Sequence, residues 1–201
     1  MVEKLYIVTP CCRPANLDAI FNSINFDIVH RWYIVYDTTR NRTYSRKYAD
    51  HPKIVEIECS HPGGVGHPQR NHALSIIEDG FVYFVDDDNI IHPDLWKHFP
   101  TFDAKYYYSW DQLRNKNGDD TDWVLFSNEK GKILKGNYLK FQKIDTAQVM
   151  IPKALIGHKK WNPTHYAADG LFFEDMYKQN PSAHRYIPQI LCYYNALDGN
   201  L

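Results

Sequence analysis

The sequence predicts an α/β protein with a mostly parallel sheet, helices on both of its faces, and a smaller mixed half after it. In the first half, short apolar runs rich in β-forming residues alternate with segments of helical periodicity, which is typical of a doubly wound sheet. One of these runs, residues 80–85, ends abruptly in three consecutive aspartates at 86–88. Polar residues also follow two earlier runs, at 9–10 and 37–38. In a parallel sheet such strand ends open into one crevice, where ligands bind.

The first half is expected to contain four strands and two helices. Apolar, β-rich runs predict strands at residues 5–9, 32–36, 53–57 and 81–85. Apolar residues at helical spacing predict two helices, one after Pro14 and one after Pro68, where a proline suits the first turn. Gly80 is expected to end the second of these helices.

The second half has a weaker pattern. Helices are predicted at residues 93–99 and 152–157, and after Asp169-Gly170 along residues 171–177. Strands are predicted at residues 105–110, 123–127, 144–151 and 186–194. The sequence contains no internal repeat or clear linker, so we expect a single domain, 1–201.

The composition excludes several classes of protein. The net charge of −1 gives no indication of a nucleic-acid partner or an acidic membrane surface. None of the four cysteines forms a C-x-x-C pair, which argues against zinc and favours a reduced compartment. Because no signal peptide and no apolar run near the ~20 residues of a membrane span is visible, we expect a cytoplasmic protein, or a soluble domain cut from a longer chain.

The three aspartates are the strongest chemical signal. Adjacent carboxylates repel one another, and a turn does not require all three. A hard divalent cation such as Mg²⁺ or Mn²⁺, shared with a phosphate ligand, explains them economically. The alternatives are a solvated acidic turn and a calcium site without catalysis.

An ordered set of short segments resembles the GT-A glycosyltransferases, most closely the β-1,3-glucuronyltransferases. The later pair Glu174-Asp175 resembles the acidic pair of the inverting family that includes chitin and hyaluronan synthases. The match is good over roughly the first ninety residues and loose beyond them. The sequence departs from the family pattern in two ways. Cys11-Cys12 follows the first Pro, and the middle segment is shorter than in this family. The segments that carry the resemblance are 5–10, 13–14, 32–37, 69–74 and 83–89.

The resemblance implies a metal-dependent transferase. The donor would be a nucleotide-sugar, usually a UDP-sugar, held through Mn²⁺ or Mg²⁺, and the acceptor a hydroxyl of a glycan or glycoprotein. Residues 1–92 would form the half that binds the nucleotide-sugar, and residues 93–201 the half that binds the acceptor. By position, the residues implied to line the uridine are Thr9, Pro10, Arg13 and Asp37. Arg70 would approach the nucleotide or its phosphates. Asp86 would lie near the ribose, and Asp87 would also belong to the donor site. Asp88 would be the direct metal ligand, together with Asp86.

The catalytic base is expected to be Asp175, with Glu174 as the alternative. An acceptor hydroxyl is a poor nucleophile at neutral pH, and a carboxylate that accepts its proton assists the attack. Both residues are expected at the start of a helix, where the helix dipole would keep a carboxylate ionised. Direct in-line attack would invert the anomeric configuration. The alternative is that the two acids only complement the dipole.

Two other functions remain open from the sequence. A sugar-phosphate nucleotidyltransferase should have a glycine-rich loop with Arg and Lys after its first strand, but here residues 10–14 read Pro-Cys-Cys-Arg-Pro. A non-catalytic carbohydrate- or nucleotide-binding module would bind without turnover. His165 or His184 could add a metal ligand, although a structural role is the better expectation for each. An aromatic set could form an acceptor platform, but packing is the commoner use of such residues: Tyr106, Tyr107, Tyr108, Trp110 and Trp161.

Overall fold

A computed structural model describes residues 3–39, 44–62, 64, 66–114, 132–165 and 168–194. The predicted strand at 123–127 lies outside these residues. The described residues form one curled sheet with helices on both faces, so the predicted α/β class is confirmed. The strand order is β3-β2-β1-β4-β8-β6-β9-β5, with β7 paired to β6.

The first half supplies the parallel part of the sheet. Its strands are β1 (Leu5–Cys11), β2 (Arg31–Asp37), β3 (Ile54–Cys59) and β4 (Phe81–Phe84). All neighbouring pairs among these four are parallel, so their carboxyl ends lie at one edge. The acidic triplet follows β4 directly and therefore lies at this edge.

The second half extends the same sheet with mixed pairings. Its strands are β5 (Ile90–Ile91), β6 (Tyr107–Arg114), β7 (Lys132–Leu134), β8 (Val149–Pro152) and β9 (His184–Tyr194). Strand β8 runs antiparallel to both β4 and β6, whereas β6 and β9 are parallel. One continuous sheet thus joins the two halves of the sequence.

Side chains alternate between the two faces of the sheet and build two separate cores. Leu5 and Ile7 belong to one core, and Tyr6 and Val8 to the other, as the two-residue period of a strand requires. The helices α1 (Leu17–Ser23) and α3 (Leu95–His98) cover the first core. The second core is covered by α2 (His67–Ile76), α4 (Lys153–Ile156) and α5 (Ala168–Gln179).

Several element boundaries differ from the sequence prediction, and two of these differences have a clear physical reason. Helix α2 ends at Ile76 rather than at Gly80, because Ile77 turns to an extended backbone conformation and buries its side chain. The apolar run at 144–151 was predicted to be one strand, but its first half forms a loop and a 3₁₀ turn at Thr146–Gln148. Here Asp145 caps the turn, since its side chain accepts a hydrogen bond from the Ala147 amide.

The aromatic residues considered as an acceptor platform are packed inside the protein. Tyr107, Tyr108, Trp110 and Trp161 are between 0% and 8% exposed. The packing interpretation therefore accounts for these four residues.

Candidate active site

A cleft of about 220 Å³ opens at the edge of the sheet beside the end of β4. Three carboxylates and two guanidinium groups line it, and they come from widely separated parts of the sequence. The charged lining residues are Arg70, Asp86, Arg114, Asp145 and Asp169. The edge that the sequence predicted to hold a ligand therefore carries a polar cleft.

Asp86 is paired with Arg70 from α2. The Arg70 Nη2 donates to Asp86 Oδ1 in a close ion pair. The Arg70 side chain is only 3% exposed, and that of Asp86 is 24% exposed. Arg70 also lies over the Trp161 ring, 4.9 Å from the guanidinium carbon to the ring centroid. The first aspartate of the triplet is therefore the more exposed member of this ion pair, and a buried arginine fixes one of its oxygens.

Asp87 does not face the cleft but binds the turn that follows β1. Its Oδ2 accepts hydrogen bonds from the backbone amides of Cys12 and Arg13, both at 2.7 Å. Its Oδ1 accepts from Arg13 Nε at 2.8 Å and from Arg13 Nη2. Asn16 Nδ2 donates to the Asp87 carbonyl at 2.9 Å. The middle aspartate thus fixes two strand-end loops to each other.

Asp88 also lies beside Arg13, but its electrostatic environment differs from that of Asp87. Its Oδ2 is 3.1 Å from Arg13 Nη2, and its side chain is 13% exposed. Burial raises the pKa of Asp88 to about 7, although the charge of Arg13 opposes the rise. The nearby carboxylates of Asp86, Asp87 and Asp145 raise this pKa further. A concentration of negative charge without full compensation therefore surrounds Asp88.

Asp145 and Arg114 line the same cleft and lie beside each other. The Asp145 Oδ1 accepts from Gln112 Nε2 at 3.0 Å, and its Oδ2 is 3.5 Å from Arg114 Nη2. Burial raises the pKa of Asp145 to about 6, and the charge of Asp86 adds to the rise. The Arg114 guanidinium stacks on the Tyr194 ring at 3.9 Å. Arg114 is therefore held in place while part of it remains exposed to the cleft.

Asp169 lies in the first turn of α5 and completes the lining. Burial raises its pKa, which the charge of Asp86 raises further and that of Arg70 lowers. The next residue, Gly170, allows a close approach of the loop at 141–142. A Cβ at Gly170 would lie 2.9 Å from the Phe141 Cα and 3.0 Å from the Gln142 backbone nitrogen. Without a side chain at this position, the loop can bring Gln142 to the cleft next to Asp169.

The donor set of the triplet fits a divalent cation in part. Within the described ranges, no group of three or more His, Cys, Asp or Glu side chains could by itself hold a metal ion. Magnesium, however, is commonly bound through one or two carboxylates, with substrate phosphates and water completing its shell. Asp86 and Asp88 could supply those two carboxylates. Asp87 is already saturated by the turn after β1.

The residues predicted to line a uridine lie at two neighbouring strand ends. Thr9 is fully buried, and its Oγ1 accepts a hydrogen bond from Trp32 Nε1 at 2.9 Å. Pro10 packs against Gly66, where an added Cβ would lie 2.6 Å from the Pro10 Cβ. Asp37 Oδ1 accepts a hydrogen bond from the Thr39 amide at 3.0 Å, so this side chain caps the turn after β2. Contact of these residues with a nucleotide stays a prediction.

Glu174 and Asp175 lie elsewhere than expected. They occupy the middle of α5, which begins at Ala168, so the expected position at a helix start is wrong. Glu174 accepts from the Phe141 amide at 2.8 Å and pairs with Lys178 at 2.7 Å. Asp175 is 56% exposed and pairs with Lys159 at 2.9 Å. These ion pairs lower the pKa of both carboxyl groups, and neither residue lines the cleft around Asp86.

Several cleft residues were missed as site residues by sequence reasoning: His67, Arg114, Asp145 and Asp169. The Asp169-Gly170 pair was noticed only as a helix start, and its acidic first-turn position was the one available signal. Of the two histidines considered as metal ligands, His184 is bound to Ser109, at 2.7 Å from Nε2 to Oγ. His165 packs edge-on against Phe141.

The arrangement of the sheet, with a cleft at the ends of its parallel strands, defines the GT-A glycosyltransferase fold that the sequence predicted. Crystal structures of S. aureus TarS share it. TarS 1-349 matches with a TM-score of 0.68 and 16% identity over 95% of this chain. Its complex with UDP matches with a TM-score of 0.67 and 17% identity over 94% of this chain. Its complex with UDP-GlcNAc gives a TM-score of 0.66 and 15% identity over 94%.

The likeness covers only part of TarS. The chain spans 60% of the length of TarS 1-349 and 36% of that of the longer TarS structure. No protein-family model and no curated protein matches the sequence. The likeness at this identity establishes the fold, and the resemblance to particular transferase families stays a prediction. Among the described helices, none is both long and apolar enough to cross a membrane.

Proposed function

We propose that this chain is a glycosyltransferase that takes its sugar from a nucleotide-sugar donor, most simply a UDP-sugar, and transfers it to a hydroxyl of a glycan or glycoprotein. The observation that carries the proposal is the cleft beside the end of β4, which Asp86, Asp145 and Asp169 line together with Arg70 and Arg114. The structures of TarS with UDP and with UDP-GlcNAc support a nucleotide-sugar as the ligand of such a fold.

The donor diphosphate is proposed to bind with a divalent cation, Mn²⁺ or Mg²⁺. Asp86 and Asp88 would hold this cation, since carboxylate oxygens are hard ligands. Both oxygens of Asp87 already accept hydrogen bonds from the turn after β1, whereas Asp88 lies beside Arg13 through one oxygen. When bound, the cation would stabilise the negative charge of the departing diphosphate as a Lewis acid. Arg114, which is partly exposed and stacked on Tyr194, would contact an anionic group of the donor.

Asp169 is proposed as the base that accepts the proton of the acceptor hydroxyl. It lines the same cleft as Asp86, and burial raises its pKa towards the working pH of a general base. Glu174 and Asp175, the bases expected from the sequence, are engaged by Lys178 and Lys159 outside this cleft. In-line attack of the acceptor oxygen on the anomeric carbon, opposite to the departing diphosphate, would invert the configuration of that carbon.

A thermal-shift experiment tests the donor. UDP, GDP and ADP would be compared at equal concentration with Mn²⁺ and with EDTA, because a ligand that binds only the folded state raises the melting temperature. We expect UDP with Mn²⁺ to give the largest rise and EDTA to reduce it. Absence of a metal-dependent rise with any nucleoside diphosphate would contradict the proposal.

Turnover separates the enzyme from a binding module. UDP-glucose, UDP-GlcNAc and UDP-glucuronate would each be incubated with Mn²⁺ and a mixture of glycan acceptors, and released UDP measured. The proposal predicts release that depends on both acceptor and cation. Stabilisation by UDP with no release from any donor would favour a non-catalytic module instead.

A further inference from the structure

We propose that Arg70 acts as a positioning residue for Asp86 rather than as a ligand of the diphosphate. It would fix Asp86 Oδ1 and leave Oδ2 as the oxygen that would bind the divalent cation. This inference rests on the proposed function, because it assumes that Asp86 binds the cation. This role differs from the one that the family resemblance implied for Arg70. That role was contact with the nucleotide or its phosphates.

The first reason is the relative accessibility of the two partners. The side chain of Arg70 is 3% exposed, whereas that of Asp86 is 24% exposed. Both residues line the cleft, but the carboxylate offers a ligand more accessible surface than the guanidinium does. Carboxylates that bind metal ions are commonly oriented by hydrogen bonds from a second layer of residues.

The second reason is that His67 fixes one end of the guanidinium. Arg70 Nη1 lies 2.9 Å from His67 Nδ1. Arginine can only donate, so His67 Nδ1 must accept and the imidazole must be neutral, with its proton on Nε2. Two of the guanidinium nitrogens are thus committed to protein partners, Nη1 to His67 and Nη2 to Asp86.

The third reason is the aromatic support beneath the guanidinium. Arg70 lies over the Trp161 ring at 4.9 Å, and the same ring stacks on His67 and Phe172, each with an interplanar angle of 7°. The Asn71 side chain fixes the Trp161 backbone through two hydrogen bonds of 2.9 and 2.8 Å. A guanidinium held by His67, Asp86 and the Trp161 ring has little freedom to reorient towards a ligand.

The test measures binding rather than catalysis. Arg70→Gln would be titrated with Mn²⁺ alone by isothermal calorimetry, and with UDP in EDTA by ligand-observed NMR. Loss of an outer-layer partner typically weakens metal binding by about 10- to 100-fold, and we expect that loss for Mn²⁺. We expect UDP affinity in EDTA to change by less than about threefold, because in this account the guanidinium does not touch the phosphates.

Two further variants keep the test decisive if Arg70→Gln folds poorly. His67→Phe preserves the ring against Trp161 but removes the acceptor of Nη1, and it should weaken Mn²⁺ binding in the same direction. In the Asp86→Asn background, Arg70→Gln should have no further effect on Mn²⁺ affinity, because Arg70 acts through Asp86. The control is Arg46→Gln, an exposed arginine paired with Glu58, which should behave as wild type.

The outcomes distinguish this inference from the proposed function. If the wild-type protein binds neither Mn²⁺ nor UDP, the proposed function fails and the inference fails with it. If the wild-type protein binds both, and Arg70→Gln weakens UDP in EDTA while leaving Mn²⁺ affinity unchanged, Arg70 contacts phosphate and only the inference is overturned. Additive effects of Arg70→Gln and Asp86→Asn on Mn²⁺ affinity would also overturn it.

Discussion

Asp87 and Arg13 are joined through both the backbone and the side chain of the arginine. The carboxylate accepts from the Arg13 amide at 2.7 Å and from Arg13 Nε at 2.8 Å, and its side chain is 3% exposed. This pair connects the turn after β1 to the loop after β4. The donor site proposed here lies across the two loops, so its shape depends on this connection.

Replacing Asp87 with Asn should destabilise the protein. An amide offers one acceptor oxygen, so its NH₂ group would face backbone donors, and the half-buried Arg13 would lose part of its charge partner. We expect the free energy of unfolding to fall by about 3 kcal/mol, measured by urea denaturation. Asp94→Asn, which removes an exposed partner of Lys97, should cause little change and serves as the control. Equal stability of the two variants would show that the connection is unimportant.

Substituting Gly66 should weaken donor binding. Gly66 has φ +79°, and a Cβ there would lie 2.6 Å from the Pro10 Cβ and 3.3 Å from Arg70 Nη1. Gly66→Ala should therefore displace the loop that borders the cleft, in addition to a backbone strain of about 1–2 kcal/mol. Gly157→Ala is the matched control, since Gly157 also has positive φ but nothing lies within 4 Å of its added Cβ. Calorimetric titration with UDP should show weaker binding to Gly66→Ala than to wild type, and unchanged binding to Gly157→Ala.

Asp169→Asn should abolish most of the turnover. If Asp169 accepts the acceptor proton, its amide should lower kcat by about 10²- to 10⁴-fold while UDP affinity stays within a few-fold of wild type. Asp175→Asn should retain nearly full kcat, because Asp175 is paired with Lys159 outside the cleft. The measurement is steady-state UDP release under saturating donor and acceptor. The reverse ranking of the two variants would restore Asp175, the base expected from the sequence.

The stability of the fold should fall in mild acid because of His184. Burial, and then the charge of Arg185, lowers the pKa of His184 from 6.5 to about 4. The folded state therefore favours the neutral imidazole. The contribution of neutral His184 to the free energy of unfolding is complete above pH 6.5 and is lost as the pH falls towards 4. At pH 5 the loss should be about 2 kcal/mol. Urea denaturation at pH 8 and pH 5 should show that the stability difference between wild type and His184→Gln narrows by this amount. A constant difference would contradict the lowered pKa.

The sequence predicted the parts of the fold that depend on local pattern. The parallel strands were visible because each is a short apolar run, and the triplet at 86–88 was visible because three adjacent charges interrupt such a run. Helices on both faces followed from the alternation of elements. These features require only residues that are close in the sequence.

The rest of the cleft lining depends on tertiary contacts, which no local sequence pattern reveals. Asp145 interrupts an apolar run only once, and its role appears when Gln112 and Arg114 of β6 pack against it. Asp169 enters the cleft because α5 starts three residues earlier than its apolar pattern suggested. The pair Glu174-Asp175 resembles a family pattern. Its position along α5, however, places Glu174 beside Lys178 and Asp175 beside Lys159.

The central claim is that the acidic edge of this sheet binds a nucleotide diphosphate with a divalent cation. Calorimetric titration of UDP in the presence of Mn²⁺ tests it most directly, with wild type, Asp88→Asn and Asp175→Asn compared in parallel. The account predicts saturable one-to-one binding to wild type and Asp175→Asn, and at least a tenfold loss of affinity for Asp88→Asn, on the order of that seen when a metal-site partner is removed. Equal binding of UDP to all three proteins, or no binding to wild type, would contradict it.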